Sequence, residues 1–241
     1  MGARFGNVVV LAALSIICCL AAAGTAASDC MKGDCRNGVG VYVFPDGSKY
    51  EGQFKDAKMT GTATITWPDG RKYTGSVKNS PNEPPNNTKK DGAGTFLFPD
   101  GRKYEGEYKD DNMTGNGIFT WPDNSRYEGV LSDGKFVKGV LTWPDGSRYE
   151  GQFKDGKPNG FGAMYTTDGL IYSGEFKNGK KDGNGTLTYK DGTTYMGKFK
   201  NDKKNGPGIM AYPDGQKKEL MWEDDKPVKP GPAQSRPKQS R

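Results

Sequence analysis

The chain has 241 residues, of which 36 are glycine, with 35 Lys and Arg against 29 Asp and Glu, no histidine and a mean hydropathy of −0.83. Without histidine there is no Ser-His-Asp or Cys-His nucleophile system and no histidine metal site. So hydrophilic and glycine-rich a chain builds no thick core, and a formal charge of +6 among many neutralising acids is a weak footprint for nucleic acid.

Residues 1–27 carry Arg4, an uncharged apolar run from Val8 to Ala23, and then small residues through Ala27. That is the pattern of a secretory signal peptide, which places the mature chain in the secretory pathway or outside the cell. An uncleaved membrane anchor is the alternative, although the run is shorter than the ~20 residues a span prefers. Cys18 and Cys19 lie in the leader, which leaves Cys30 and Cys35 in segment 28–36. An oxidising compartment predicts a disulfide between them, and two free thiols are the alternative.

From Asn37 onward the chain repeats. Tyr50, Tyr73, Tyr104, Tyr127, Tyr149, Tyr172 and Tyr195 are each followed two residues later by glycine, at intervals of 23, 31, 23, 22, 23 and 23 residues. A fixed period of this size marks units too small to bury a core alone, stacked so that each supports the next. In Tyr149-Glu150-Gly151-Gln152-Phe153-Lys154 the apolar and small positions alternate with polar ones, which predicts a half-buried strand. Asp155 to Asn159 are turn formers, Gly160 to Met164 begin a second strand, and Pro-Asp-Gly turns of the type Pro144-Asp145-Gly146 join one unit to the next. Each unit is therefore a β-hairpin, and the fold class is all-β, an elongated single-layer antiparallel β-meander.

Glycine inside a strand is normally unfavourable. Here it recurs two residues after each of the seven repeat tyrosines and again on the return strand at Gly94, Gly117, Gly139, Gly162, Gly185 and Gly208, with Ala63 as the exception. Both positions share a face with the aromatic residues. Rings lying flat over bare backbone let a single layer bury apolar area.

The run Tyr-Glu-Gly-Gln-Phe-Lys-Asp-Gly-Lys-x-x-Gly-x-Gly from Tyr149 resembles the membrane occupation and recognition nexus (MORN) repeat, and the resemblance covers about Asn37 to Trp222. It implies a β-hairpin ribbon acting as a scaffold or binding module, in a family with membrane-junction, cytoskeletal and self-associating members. Local departures are Val137 in a unit one residue short, Thr166 for the usual aromatic and Asn124 for a turn glycine.

The repeat domain is predicted over 37–222: a half unit, seven units and a degenerate closing strand at Lys218–Trp222, sixteen strands in all. The 31-residue interval holds an insertion around Ser80 to Pro85, expected as an exposed loop. Residues 223–241 are predicted to be a disordered, basic, Pro-rich tail. Asn86, Asn112 and Asn184 each begin an Asn-x-Thr sequon and are candidate glycosylation sites.

No Gly-x-Gly-x-x-Gly, phosphate-binding loop or complete calcium loop occurs, and the repeated aspartates are explained by their turns. The chain is expected to be no enzyme and to need no cofactor. Two binding readings remain. In the first, an aromatic face with Trp67, Trp121, Trp143, Tyr189 and Tyr212 receives an extended or helical segment of a protein partner, with a homodimer as a related expectation. In the second, a basic edge of Lys177, Lys180, Lys181, Lys200, Lys203 and Lys204 meets an anionic membrane surface; a solvated turn edge is its plain alternative. Nucleic acid is the least favoured partner.

Overall fold

A computed structural model describes residues 29–79 and 88–228. The leader, the insertion, Asn86 and the tail beyond Val228 lie outside the described residues.

The described chain forms eighteen strands. They are β1 (Asp29–Gly33), β2 (Val39–Val43), β3 (Lys49–Lys55), β4 (Lys58–Thr66), β5 (Lys72–Asn79) and β6 (Thr88–Leu97). Then come β7 (Lys103–Lys109), β8 (Asn112–Thr120), β9 (Arg126–Ser132), β10 (Lys135–Thr142), β11 (Arg148–Lys154) and β12 (Lys157–Tyr165). The last are β13 (Ile171–Lys177), β14 (Lys180–Thr188), β15 (Thr194–Lys200), β16 (Lys203–Ala211), β17 (Lys217–Glu223) and β18 (Lys226–Val228). Each strand pairs antiparallel with the next, giving one open meander. The count exceeds the expected sixteen by one strand at each end. β1 extends the sheet into segment 28–36, and the segment read as a disordered tail from residue 223 is ordered at its start, Glu223 ending β17 and Lys226–Val228 forming β18.

The two edges of the ribbon carry different turns. At one edge Trp143 N–H donates to Ser147 O and Gly146 N–H to Trp143 O, both at 2.9 Å. The Asp145 carboxylate accepts from the Ser147 N–H at 2.9 Å and its hydroxyl at 2.6 Å. Those bonds hold the carboxyl below its ordinary range. At the other edge two-residue turns such as Asp155-Gly156 have φ of 50° and 72°, the doubly left-handed geometry of a type I′ hairpin. There, successive hairpins are clamped reciprocally. Asp202 N–H donates to Lys181 O at 2.9 Å, and the Asp202 carboxylate accepts from Lys181 N–H at 2.9 Å.

Within most hairpins the register shifts just beyond the tyrosine-linked glycine, as between Gly151 and Phe153. Such bulges bend the strand. The size of the bend shows in Tyr149 and Phe153: four residues of flat strand span about 13 Å, yet the two ring centroids are 5.1 Å apart at 89°. Each hairpin therefore folds across its own width, and Phe153 closes over Tyr149 and meets Tyr127 as well. Repeated along the array, these edge-to-face contacts form a continuous ladder through Tyr149, Phe176, Tyr172, Phe199, Tyr195 and Trp222. A single layer thus buries its seven repeat tyrosines almost completely.

The departures read from sequence are absorbed locally. Val137 is the residue skipped between Phe136 and Lys138, and Phe136 stacks on Tyr127 at 3.9 Å and 19°, where other units place rings edge to face. Asn124 takes the turn glycine's left-handed conformation at φ 69°. The Thr166 hydroxyl donates to the Asp168 carboxylate and accepts from Leu170 N–H at 3.1 Å.

Candidate functional site

The glycines form one row across the sheet. Gly33 pairs Gly40, Gly40 pairs Gly52, and the row continues through Ala63, Gly75, Gly94, Gly106 and so on to Gly208, which pairs Leu220. On the inner face each tyrosine lies along this row, and its hydroxyl donates to the carbonyl three residues on: Tyr50 to Gln53 at 2.8 Å, Tyr73 to Ser76 at 2.7 Å, Tyr149 to Gln152 at 2.8 Å. Desolvation by burial pushes the phenols of Tyr50, Tyr104, Tyr127 and Tyr149 up to about 12. These rings are structural cover.

On the outer face the inward-facing glycine positions show only backbone, as any inward-facing strand position does, and form a gutter walled by the outward-facing residues on either side of each glycine. In the last repeats the gutter becomes a depression of about 750 Å³ floored by Gly151, Gly162, Gly174, Gly185 and Gly197. Its walls include Phe161 and Met196, which are 68% and 58% exposed although large and apolar. A second depression of about 440 Å³ continues past Ile209 to Met221. Between Glu150 and Glu219 the wall Ala163, Ser173, Thr186, Met196 and Ile209 carries no charge.

The aromatic set read from sequence lies elsewhere. Trp67, Trp121, Trp143, Tyr189 and Tyr212 each open a turn at the Pro-Asp-Gly edge and are half-buried. Around the first two, rings follow one another from Trp67 to Phe96, Phe98, Phe119 and Trp121 at 4.7–5.8 Å. Arg71 and Arg102 lie over Trp67 and Phe98.

The lysine set divides. Lys177, Lys180, Lys200 and Lys203 are exposed at the type I′ turn edge. Lys181 and Lys204 are half-buried instead: the Lys181 ammonium lies 5.7 Å from the Tyr172 ring centre, and that of Lys204 lies 4.4 Å from the ring of Trp222. The sequence treated all six as one edge, and two of them face inward.

Cys30 and Cys35 form a disulfide with Cα atoms 6.0 Å apart. A bulge at Met31 puts Cys30 opposite Tyr42, the register that Tyr50 holds opposite Ile65. A β-carbon on Gly40 would sit 2.7 Å from the Cys35 sulfur. The disulfide thus occupies the seat over the glycine row that a tyrosine fills elsewhere. Asn112 and Asn184 are both exposed, and the Asn184 amide donates to Glu175 Oε1 at 3.0 Å on the wall of the outer gutter.

The family model for the MORN repeat matches residues 32–49, 50–70, 86–101, 104–126, 127–148, 149–171, 172–194 and 195–217. The chain belongs to the MORN-repeat family. Its first matched repeat begins within the disulfide loop, so the MORN array starts earlier than the tyrosine period alone shows. Among solved structures the chain is similar to a G-box domain of the microcephaly protein CPAP, at 17% identity over 81% of this chain and 99% of that one, with a TM-score of 0.48. It is also similar to the TCP domain of Drosophila melanogaster SAS-4 in complex with a proline-rich motif of Ana2, at 17% identity over 67% and 84%, TM-score 0.43. A third is the TCP10 domain of Danio rerio CPAP with a STIL peptide, at 16% identity over 80% and 93%, TM-score 0.40. A comparison with curated proteins finds no match.

The outer gutter of the MORN array lies on the face opposite the aromatic residues that mark the repeat in the sequence. The signal was present one position away: Phe161, Met196, Ile209 and Met221 each adjoin a position of the glycine row. Among the described residues no group of His, Cys, Asp and Glu could hold a metal ion, and no helix is long and apolar enough to cross a membrane.

Proposed function

We propose that this MORN array is a non-enzymatic scaffold that binds a segment of a protein partner along the outer gutter of its last repeats. One observation carries the reading: Phe161, Met196, Ile209 and Met221 are solvent-exposed apolar side chains on one face, beside a continuous glycine floor. Exposed apolar side chains gathered at a groove, rather than scattered singly, mark an interaction site. The bare floor lets a partner backbone approach closely, and the walls offer apolar contacts with few charges to desolvate.

A second reading keeps the edge of Trp67, Trp121, Trp143, Tyr189 and Tyr212 as the docking surface, because a ring opens this turn in every unit except that of Thr166 and these five are half-buried. Selection of peptides from a displayed library separates the two. The outer-gutter reading expects selected peptides to lose binding to Phe161→Ala/Met196→Ala, and to retain it with Trp121→Ala/Trp143→Ala. The opposite pattern assigns the edge, and recovery of no peptide by the folded protein sinks the scaffold reading.

A further inference from the structure

Three successive turns at the type I′ edge place lysine directly opposite lysine: Lys154 pairs Lys157, Lys177 pairs Lys180, and Lys200 pairs Lys203. Like charges opposite one another in a sheet destabilise it, and nothing in the turn geometry requires them. The left-handed positions are met by Asp155-Gly156, Asn178-Gly179 and Asn201-Asp202, which lie between the lysines. All six lysines are exposed, and with Asp155, Asp202 and Asp182, whose carboxylate accepts from the Asn201 N–H at 3.2 Å, subtracted, the three tips keep three positive charges. Among the described residues the one ion pair they make is Lys203 with Asp224 at 3.8 Å, on side chains 51% and 64% exposed, worth little. The run is bounded: Ser132 faces Lys135 in the turn before it, and Glu223 faces Lys226 in the turn after it.

We propose that this lysine ladder is a binding site for a linear sulfated polysaccharide. The pairs recur every two strands, about 10 Å apart at a strand spacing of ~4.8 Å, and so present positive charge at regular steps along a line. A polymer with a sulfate on successive sugars presents the complementary series. Lysine suits it, because a compact ammonium neutralises a sulfate as a point charge without fixed bidentate geometry. The tips are open to a bulky ligand, since a β-carbon on Gly156 would meet nothing within 4 Å. Other polyanions fit less well. A single-stranded nucleic acid needs rings beside the charges on which to stack its bases, and Phe153, Phe176 and Phe199 next to these tips are buried. A membrane is flat, whereas the edge of a twisted sheet winds, and the tips carry no exposed apolar residue to insert. The site is separate from the outer gutter and does not depend on it.

The test is heparin binding by the full chain at low salt, measured by calorimetry, beside phosphatidylserine vesicles and a thymidine oligonucleotide. The wild type is expected to bind heparin more tightly than either, with affinity falling steeply as salt rises. Lys177→Gln, Lys180→Gln, Lys200→Gln and Lys203→Gln together should weaken heparin binding about a hundredfold. The melting temperature should stay level or rise, because like-charge pairs have been removed. The four corresponding Lys→Arg changes should keep the binding. Three outcomes overturn the proposal: no heparin binding at low salt, tighter binding to vesicles or oligonucleotide, or heparin binding that persists in the glutamine variant, as the basic tail would give.

Discussion

The ring of Tyr149 lies along Gly151, and its hydroxyl reaches past that glycine to the carbonyl of Gln152 at 2.8 Å. A β-carbon on Gly151 would fall 2.6 Å from Gly162 Cα and 2.7 Å from the Phe161 carbonyl oxygen, both backbone atoms that no rotamer change can move. Gly151→Ala is therefore expected to cost about 3 kcal/mol in urea unfolding, the upper range for overpacking. Gly162→Ala should cost less, because Ala63 already holds the corresponding place opposite Gly52. Equal and negligible effects at both sites would refute the close seat.

The same burial makes the fold sensitive to alkali. Burial raises the phenols of Tyr50, Tyr104, Tyr127 and Tyr149 to about 12, and also raises Tyr73, Tyr172 and Tyr195. An unfolded tyrosine loses its proton near pH 10. Since the folded values are higher, their contribution to stability is complete below about pH 10 and is lost as pH rises toward the folded values. Thermal unfolding should be level through mild alkali and fall steeply beyond about pH 10. Absorbance at the phenolate band should rise together with unfolding. Phenolate appearing near pH 10 in a chain that stays folded would contradict this.

Much of this architecture was legible because one residue pattern is repeated many times. Tyr-x-Gly at a steady interval dictates hairpin, face and register, and β3 to β17 follow it. The ends were harder to read. Cys30 takes a tyrosine's register only because Met31 bulges out, and the extra residue puts Cys30 three positions before Gly33, outside the two-residue spacing that marks the repeats. At the far end Trp222 stands beside Tyr195 at 5.5 Å, as Phe199 stands beside Tyr172, while Leu220 ends the glycine row. Surface roles were less legible still. Lys180 and Lys181 are neighbours in sequence, yet the pleat sends one to solvent and the other over Tyr172. The outer gutter is set by which residues the alternation sends to the outer face on either side of the glycine row, which composition does not display.

Tyr108 departs from the pattern usefully. It occupies the place of Phe153 in its own hairpin and meets Tyr73 and Tyr104 at 5.3 Å, but its buried hydroxyl has no hydrogen-bond partner. An unmet buried hydroxyl is costly, whereas phenylalanine keeps the ring contacts. Tyr108→Phe is expected to stabilise the protein by about 1 kcal/mol. Tyr149→Phe should destabilise it by a similar amount, because that hydroxyl is bonded. Chemical denaturation of the two variants side by side tests the contrast, and a loss of stability on Tyr108→Phe would contradict it.

The disulfide is expected to act as the amino-terminal cap. Loop residues 34–38 receive the first full repeat: Phe54 N–H donates to Gly38 O at 2.7 Å, Ala57 N–H to Arg36 O at 2.9 Å, and Asp56 N–H to Asn37 Oδ1 at 2.8 Å. Cys30→Ser with Cys35→Ser should cost about 2 kcal/mol for so short a loop. Hydrogen exchange should quicken in β1 and β2 and in the turn at Asp56, and stay unchanged in β15 to β17. Uniform quickening along the whole array would show that the cap is not local.

Self-association is expected to use the outer face rather than the edges. β18 is three residues long with Pro227 at its centre, and a short edge strand with proline resists pairing by another strand. At the other end the bulge at Met31 and the disulfide interrupt β1. What remains is the outer gutter, with exposed Met196 and Ile209 on one wall and Phe161 and Met221 on the other, which a second copy can cover as well as a partner can. The expectation is a weak dimer, seen by sedimentation only at high concentration. Phe161→Glu with Met196→Glu should make it monomeric while leaving the melting temperature within a degree or so, because exposed substitutions shift stability by roughly 0.5 kcal/mol or less. A dimer that survives both changes uses another surface. A wild type that stays monomeric at high concentration overturns the expectation.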